Sequence, residues 1–156
     1  CTRCIDACPT QAILLNRTLD SNLCISYLTI ENKGEIPEEL RPQIGEWIFG
    51  CDICQQVCPW NRKTGQLKRW LTEEKKIKTD QDLITELSLT PQEFNKKFKN
   101  NPVKRAKRRG YLRNVAVALG NAGDPASIPA LKNALDDIEQ LVRDHARWAL
   151  EKIKSQ

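Results

Sequence analysis

CTRCIDACP at residues 1–9 and CDICQQVCP at residues 51–59 are one pattern used twice, Cys-x2-Cys-x3-Cys-Pro. Cysteines three apart can wrap one side of a compact group. The last cysteine stands beside a proline that stops the chain from running on as a helix. Bacterial iron–sulfur runs end in this way, and in two-cluster proteins the cysteine before the proline ligates the other cluster. A 4Fe–4S cubane needs thiolates from several directions, which local spacing alone does not supply. The paired runs therefore predict two metal clusters sharing ligands across the module.

Two 4Fe–4S clusters take eight thiolates. The chain has seven cysteines, all within its first 58 residues. It also lacks a starting methionine, so the expectation is a piece of a longer protein with an eighth cysteine three residues before Cys1. The crossing rule then divides the ligands. Cys1, Cys4 and the upstream cysteine hold one cluster, with Cys58 crossing over as fourth ligand. Cys8 crosses to join Cys51 and Cys54, and Cys24, the thiol outside both runs, completes the second set. Disulfides and structural zinc are the competing readings. Seven is an odd number for bridges, and a zinc ribbon does not explain a repeated Cys-Pro ending.

The rest of the chain differs in composition. Its 156 residues carry a formal charge of +5 and a 40% hydrophobic share. No apolar run approaches the roughly 18–20 residues of a membrane span, and the first residues have none of the regions of a signal peptide. From Lys96 to Arg113 there are nine cations and no acid. Clustered Lys and Arg are the electrostatic footprint of phosphate binding, against the alternative of a solvated face. In TPQEFNKKF, Thr90, Pro91 and Glu93 predict a capped helix start, with Phe94 and Phe98 on one face. Beyond it, Gly120–Pro125 and Asp136–Asp137 read as breaks between helices. Ala118-Leu119 recurs as Ala149-Leu150, 31 residues on, the spacing of a helical-hairpin repeat. Trp47, Ile48 and Phe49 are expected to cover a cluster or to pack in the core. Tyr111, Trp148 and the single histidine, His145, are expected in the core or on a helix surface. The expected organisation is a dicluster module at 1–62, a charged connector and helix at 63–100, and a HEAT-like repeat module at 101–156. The fold class is mainly α, α+β at most.

CTRCIDACPTQAI (1–13), CISYLTIENKGEIPEELRPQIGEWIFGCDICQQVCPWN (24–61) and RGYLRNVAVALGNAGD (109–124) strongly resemble the epoxyqueuosine reductase family. Gln11 stands where glycine is common in that family. The resemblance implies a ferredoxin-like module with two 4Fe–4S clusters, followed by HEAT-like repeats. It implies cobalamin, bound mostly by an N-terminal domain that lies outside this chain together with the acidic proton donor. It also implies reduction of epoxyqueuosine to queuosine in tRNA by electrons that pass through the clusters to cobalamin. No catalytic residue is expected within these residues. Ser26, Asp52 and Ile53 match places that face the corrin ring. Lys33, Lys104, Arg105, Lys107, Arg108, Arg109, Arg113 and Asn114 become the expected tRNA contacts, near the anticodon region, with a loop-to-helix start at Arg113–Asn114. A low-potential electron donor, a monomeric state and a cytoplasmic location complete the expectation. A stand-alone ferredoxin-type electron carrier is the principal alternative.

Overall fold

A computed structural model of the chain describes residues 1–64 and 80–155. Residues 65–79, which carry most of the alternating charge of the expected connector, lie outside the described residues. The cysteine module contains four short helices, α1 (Arg3–Asp6), α2 (Ile25–Ile30), α3 (Arg41–Ile44) and α4 (Ile53–Gln56). The repeated sequence pattern folds as a repeated backbone. Thr2 before α1 has φ −117° and ψ 3°, and Asp52 before α4 has φ −116° and ψ 12°. Ala7 and Val57 close the two helices at φ −86° and −84°. The same turn bonds recur in both: the Asp6 and Gln56 amides donate to the Thr2 and Asp52 carbonyls, and the Cys8 and Cys58 amides donate to the Ile5 and Gln55 carbonyls. Between the runs, Ile13 and Leu19 form an isolated antiparallel bridge. The fold is mainly helical.

The second half contains α5 (Asp80–Glu86), α6 (Pro91–Lys97), α7 (Lys107–Ala122), α8 (Ile128–Asn133) and α9 (Gln140–Lys154). Thr90 and Glu93 close a reciprocal capping box at the start of α6, with bonds of 2.8 and 3.3 Å. Such a cap is worth about 1 kcal/mol. Phe94 and Phe98 pack with tilted rings at 4.9 Å and both meet Tyr111 of α7, at 5.8 and 5.0 Å. Helix α7 is buried on all sides from Gly110 to Gly120, as a central helix must be. Burying Leu112, Val115 and Leu119 stabilises the fold by roughly 1.5–3 kcal/mol for each side chain. Gly123, left-handed at φ 73°, ends α7, and its amide bonds to Leu119 O. Helix α9 packs along α7, burying Val142, His145, Ala146, Ala149 and Ile153 at helical spacing.

One hydrophobic core runs from Ile25 through Ile36 and Ile44 to α7 and on to Ile153. It is continuous across positions 62 and 100, so the cysteine module rests directly on α7. Trp47, Ile48 and Phe49 pack against this core, and none of them lines a cysteine cavity. Helix α7 begins at Lys107, which places Arg113 and Asn114 inside a helix rather than at its start. Among the described residues, no helix is long and apolar enough to cross a membrane.

Candidate metal centre and cationic face

The thiols line two cavities. One, of about 500 Å³, is walled by Cys1, Cys4, Cys54 and Cys58. The other, of about 470 Å³, is walled by Cys8, Cys24, Cys51 and Cys54. Cys54 thus forms part of the wall of both. All seven cysteines are free. Among the described residues, no three Cys, His, Asp or Glu side chains gather closely enough to hold a single metal ion. The thiols surround cavities instead of converging on a point, and a cubane needs such an arrangement where a lone zinc ion does not.

The donor chemistry of the second cavity fits a cluster. The amide of Ala12 donates to Cys8 Sγ at 3.3 Å, and Thr10 Oγ1 lies 3.7 Å from the same sulfur. Burial pushes the Cys8 thiol up. Hydrogen bonds from the Thr10 hydroxyl and from the amides of Ala12, Ile13 and Thr10 outweigh it and hold the thiol below its ordinary value. The Cys51 thiol is pushed up by burial, which the Ile53 amide opposes, and the facing thiols of Cys54, Cys24 and Cys8 add to the rise. Four thiolates confronting one another repel, and a cationic metal core would relieve that repulsion.

Short local structures aim these groups. Cys24 caps the N-terminus of α2 in an extended conformation. Gly50, at φ 78°, turns the chain into Cys51. Ser26, Asp52 and Ile53 all line the second cavity. Among the described residues, neither the Ser26 nor the Asp52 side chain makes a hydrogen bond or ion pair. Sequence reasoning missed Arg3, Arg17 and Trp60, which line the first cavity. Arg3 and Trp60 adjoin the cysteine runs and could have been found there. Arg17 arrives through the Ile13–Leu19 turn, which carries no such signal.

The basic run divides in two. Lys104, Lys107 and Arg109 are exposed, and among the described residues none of them has a carboxylate partner. Lys33, distant in sequence, joins them: its ammonium donates to Ile30 O at 3.0 Å and to Arg105 O. Burial lowers the Lys33 pKa, Glu31 opposes that, and Lys107, Arg113 and Arg105 lower it further. Arg105 pairs with Glu31 at the edge of this face.

The other three expected contacts are corrected. Arg108 forms a two-pronged pair with Asp137 at 3.1 and 2.6 Å and donates to Leu89 O, so its charge is engaged internally. Arg113 is fully buried, and Asn114 is 1% exposed. Both donate to backbone carbonyls of the cysteine module. Neither can meet a phosphate, because core packing surrounds α7 from Gly110 onward. Tyr111 and His145 are buried in the core as well.

Residues 1–61 match the 4Fe-4S double cluster binding domain family, and residues 112–137 match the PBS lyase HEAT-like repeat. An epoxyqueuosine reductase of Xanthomonas campestris pv. campestris is 44% identical over 96% of this chain and 42% of its own length. The solved epoxyqueuosine reductase of Streptococcus thermophilus superposes with TM-score 0.82 at 31% identity, over all of this chain and 41% of that one. A crystal structure of an epoxyqueuosine reductase with an epoxyqueuosine-modified tRNA-Tyr stem loop superposes with TM-score 0.78 at 32% identity, over 98% of this chain and 41% of that one. The chain spans about two-fifths of the length of the relatives it matches. By sequence and by fold, the chain matches the C-terminal part of the epoxyqueuosine reductases, with a double-cluster binding domain followed by a HEAT-like repeat.

Proposed function

We propose that this chain is the cluster-holding and tRNA-holding part of an enzyme that reduces epoxyqueuosine to queuosine in tRNA. Removing the epoxide oxygen takes two electrons and two protons, leaving an alkene and water. When bound, two 4Fe–4S clusters would supply electrons singly at low potential to a cobalamin held mostly by the rest of the protein. The residues of this chain hold and shield that path. Cys1, Cys4 and Cys58 hold one cluster, with the upstream thiol as the remaining ligand. Cys8, Cys24, Cys51 and Cys54 hold the other. Hydrogen bonds to Cys8 Sγ favour its thiolate. Ser26, Asp52 and Ile53, which line the second cavity, would form part of the surface offered to the cobalamin. Lys33, Lys104, Lys107 and Arg109, with Arg105 at the edge, meet tRNA phosphates.

The observation that carries this reading is the pair of thiol-lined cavities, one walled by Cys1, Cys4 and Cys58 and the other by Cys8, Cys24 and Cys51, with Cys54 on the wall of both. A monomer in the cytoplasm, fed by a low-potential electron donor, is the expected setting. A stand-alone electron carrier is disfavoured, because the cysteine module shares its core with the repeat helices. The full-length protein purified without oxygen should contain iron and acid-labile sulfide for two clusters and should convert epoxyqueuosine in tRNA when given a strong reductant, whereas residues 1–156 alone should not. Stoichiometric zinc without sulfide would overturn the reading.

A further inference from the structure

Arg113 is the largest fully buried side chain in the described protein, and no carboxylate accompanies it. Its guanidinium donates to Leu28 O at 2.6 Å, to Asn32 O at 3.0 Å, to Gly34 O, and to Asn114 Oδ1 at 2.8 and 3.0 Å. A buried cation without a counter-ion costs several kcal/mol unless dipoles solvate it. Here the dipoles are the last carbonyls of α2 and the turn after it, where a helix carries its negative end.

Asn114 continues the same contact. Its single side-chain NH₂ donates to Thr29 O at 2.8 Å and to Ile48 O at 2.9 Å. Thr29 closes the arrangement: its hydroxyl donates to Ile25 O at 2.8 Å and accepts the Gly50 amide at 3.0 Å. Cys24 is the N-cap of α2, and Gly50 immediately precedes Cys51. These bonds therefore clamp together the two segments that deliver Cys24 and Cys51 to one cavity. The Cys1–Cys4 segment has no part in them.

We propose that Arg113 and Asn114 are positioning residues which, through Thr29, fix the Cys24 and Cys51 thiols relative to each other and so set the properties of the cluster they hold. The inference rests on the cluster assignment proposed above. It makes an internal pair on the central repeat helix responsible for one cluster and not the other.

The test uses the cluster-loaded protein, with the two cluster signals assigned through Cys4→Ser and Cys51→Ser variants. Asn114→Asp keeps the side-chain shape and gives Arg113 a charged partner, but cannot donate to Thr29 O or Ile48 O. Thr29→Val keeps the shape and removes the acceptor for the Gly50 amide. Thr29→Ser keeps that acceptor. Asn114→Asp and Thr29→Val should each shift the reduction midpoint and the low-temperature electron paramagnetic resonance signal of the Cys24–Cys51 cluster, and leave the other cluster unmoved. Thr29→Ser should restore the parent values. A lowered melting temperature with both cluster signals unmoved would overturn the inference, as would equal shifts in both clusters. If Asn114→Asp fails to fold, the Thr29 pair decides alone. A parent protein without iron and sulfide overturns the proposed function and this inference with it. A parent with two clusters, and variants with unmoved signals, overturns this inference only.

Discussion

Gln11 has φ 53°, a left-handed conformation that costs a non-glycine residue about 1–2 kcal/mol. The turn at Gln11 carries the chain from Cys8 to Ala12, whose amide then points back at Cys8 Sγ. Gln11→Gly should raise the unfolding midpoint of the cluster-loaded protein, corresponding to up to about 1 kcal/mol after glycine's entropy cost. Gln11→Val, β-branched at a positive φ, should lower it and weaken the second cluster's signal. A thermal melt followed by visible absorption checks both. Lys107 is a second strained residue, at φ 61° and ψ 165°, a region that is essentially glycine's own. It lies within the exposed cationic face, where a glycine would relax the backbone but remove a charge.

Packing of α7 against α9 depends on the absence of one side chain. A Cβ on Gly120 would lie 2.8 Å from both Cα and Cβ of Ala149 and 2.9 Å from the Trp148 ring. Because one neighbour is backbone, it cannot rotate away. Gly120→Ala should destabilise the fold by more than the usual 1–3 kcal/mol of overpacking, measured by chemical denaturation. His145 ties α9 to the segment before α3: Nε2 accepts the Ile36 amide at 3.2 Å, and Nδ1–H donates to Leu141 O at 2.8 Å. Burial, aided by Arg41 and Arg113, lowers its pKa to about 4, although the Leu141 bond and Asp144 oppose the shift. A neutral folded histidine whose unfolded pKa is near 6.5 contributes stability above that pH. As pH falls from about 6.5 to 4 the unfolded chain takes up a proton first, and on the order of 3 kcal/mol is lost. His145→Gln should flatten that part of the stability–pH curve. The element breaks at Gly123 and Thr90 were legible in sequence because caps are local. The environment of Arg113 was not, because its partners lie about 80 residues away, at the end of α2.

Across the whole molecule, the two matching cysteine turns were readable because Cys-x2-Cys-x3-Cys-Pro is a local pattern used twice, and each copy folds as the same turn. The basic run was only half readable. Nine cations in sequence look alike, but α7 carries the chain from solvent into the core within a turn. Lys104, Lys107 and Arg109 stay outside, Arg108 finds Asp137, and Arg113 is enclosed. This division predicts two different phenotypes from one stretch. Replacing Lys104, Lys107 and Arg109 with glutamine should weaken tRNA binding at least tenfold. It should also flatten the dependence of log affinity on log salt by about 0.7–0.9 for each phosphate that is no longer neutralised, with the melting temperature and cluster absorption unchanged. Arg108→Gln strands a half-buried Asp137 and should lower the melting temperature while leaving the salt slope as it was. Filter-binding or fluorescence titrations of tRNA over a series of salt concentrations separate the two. If the triple variant binds tRNA with unchanged affinity and slope, those three cations are merely solvated, and the tRNA must be held elsewhere.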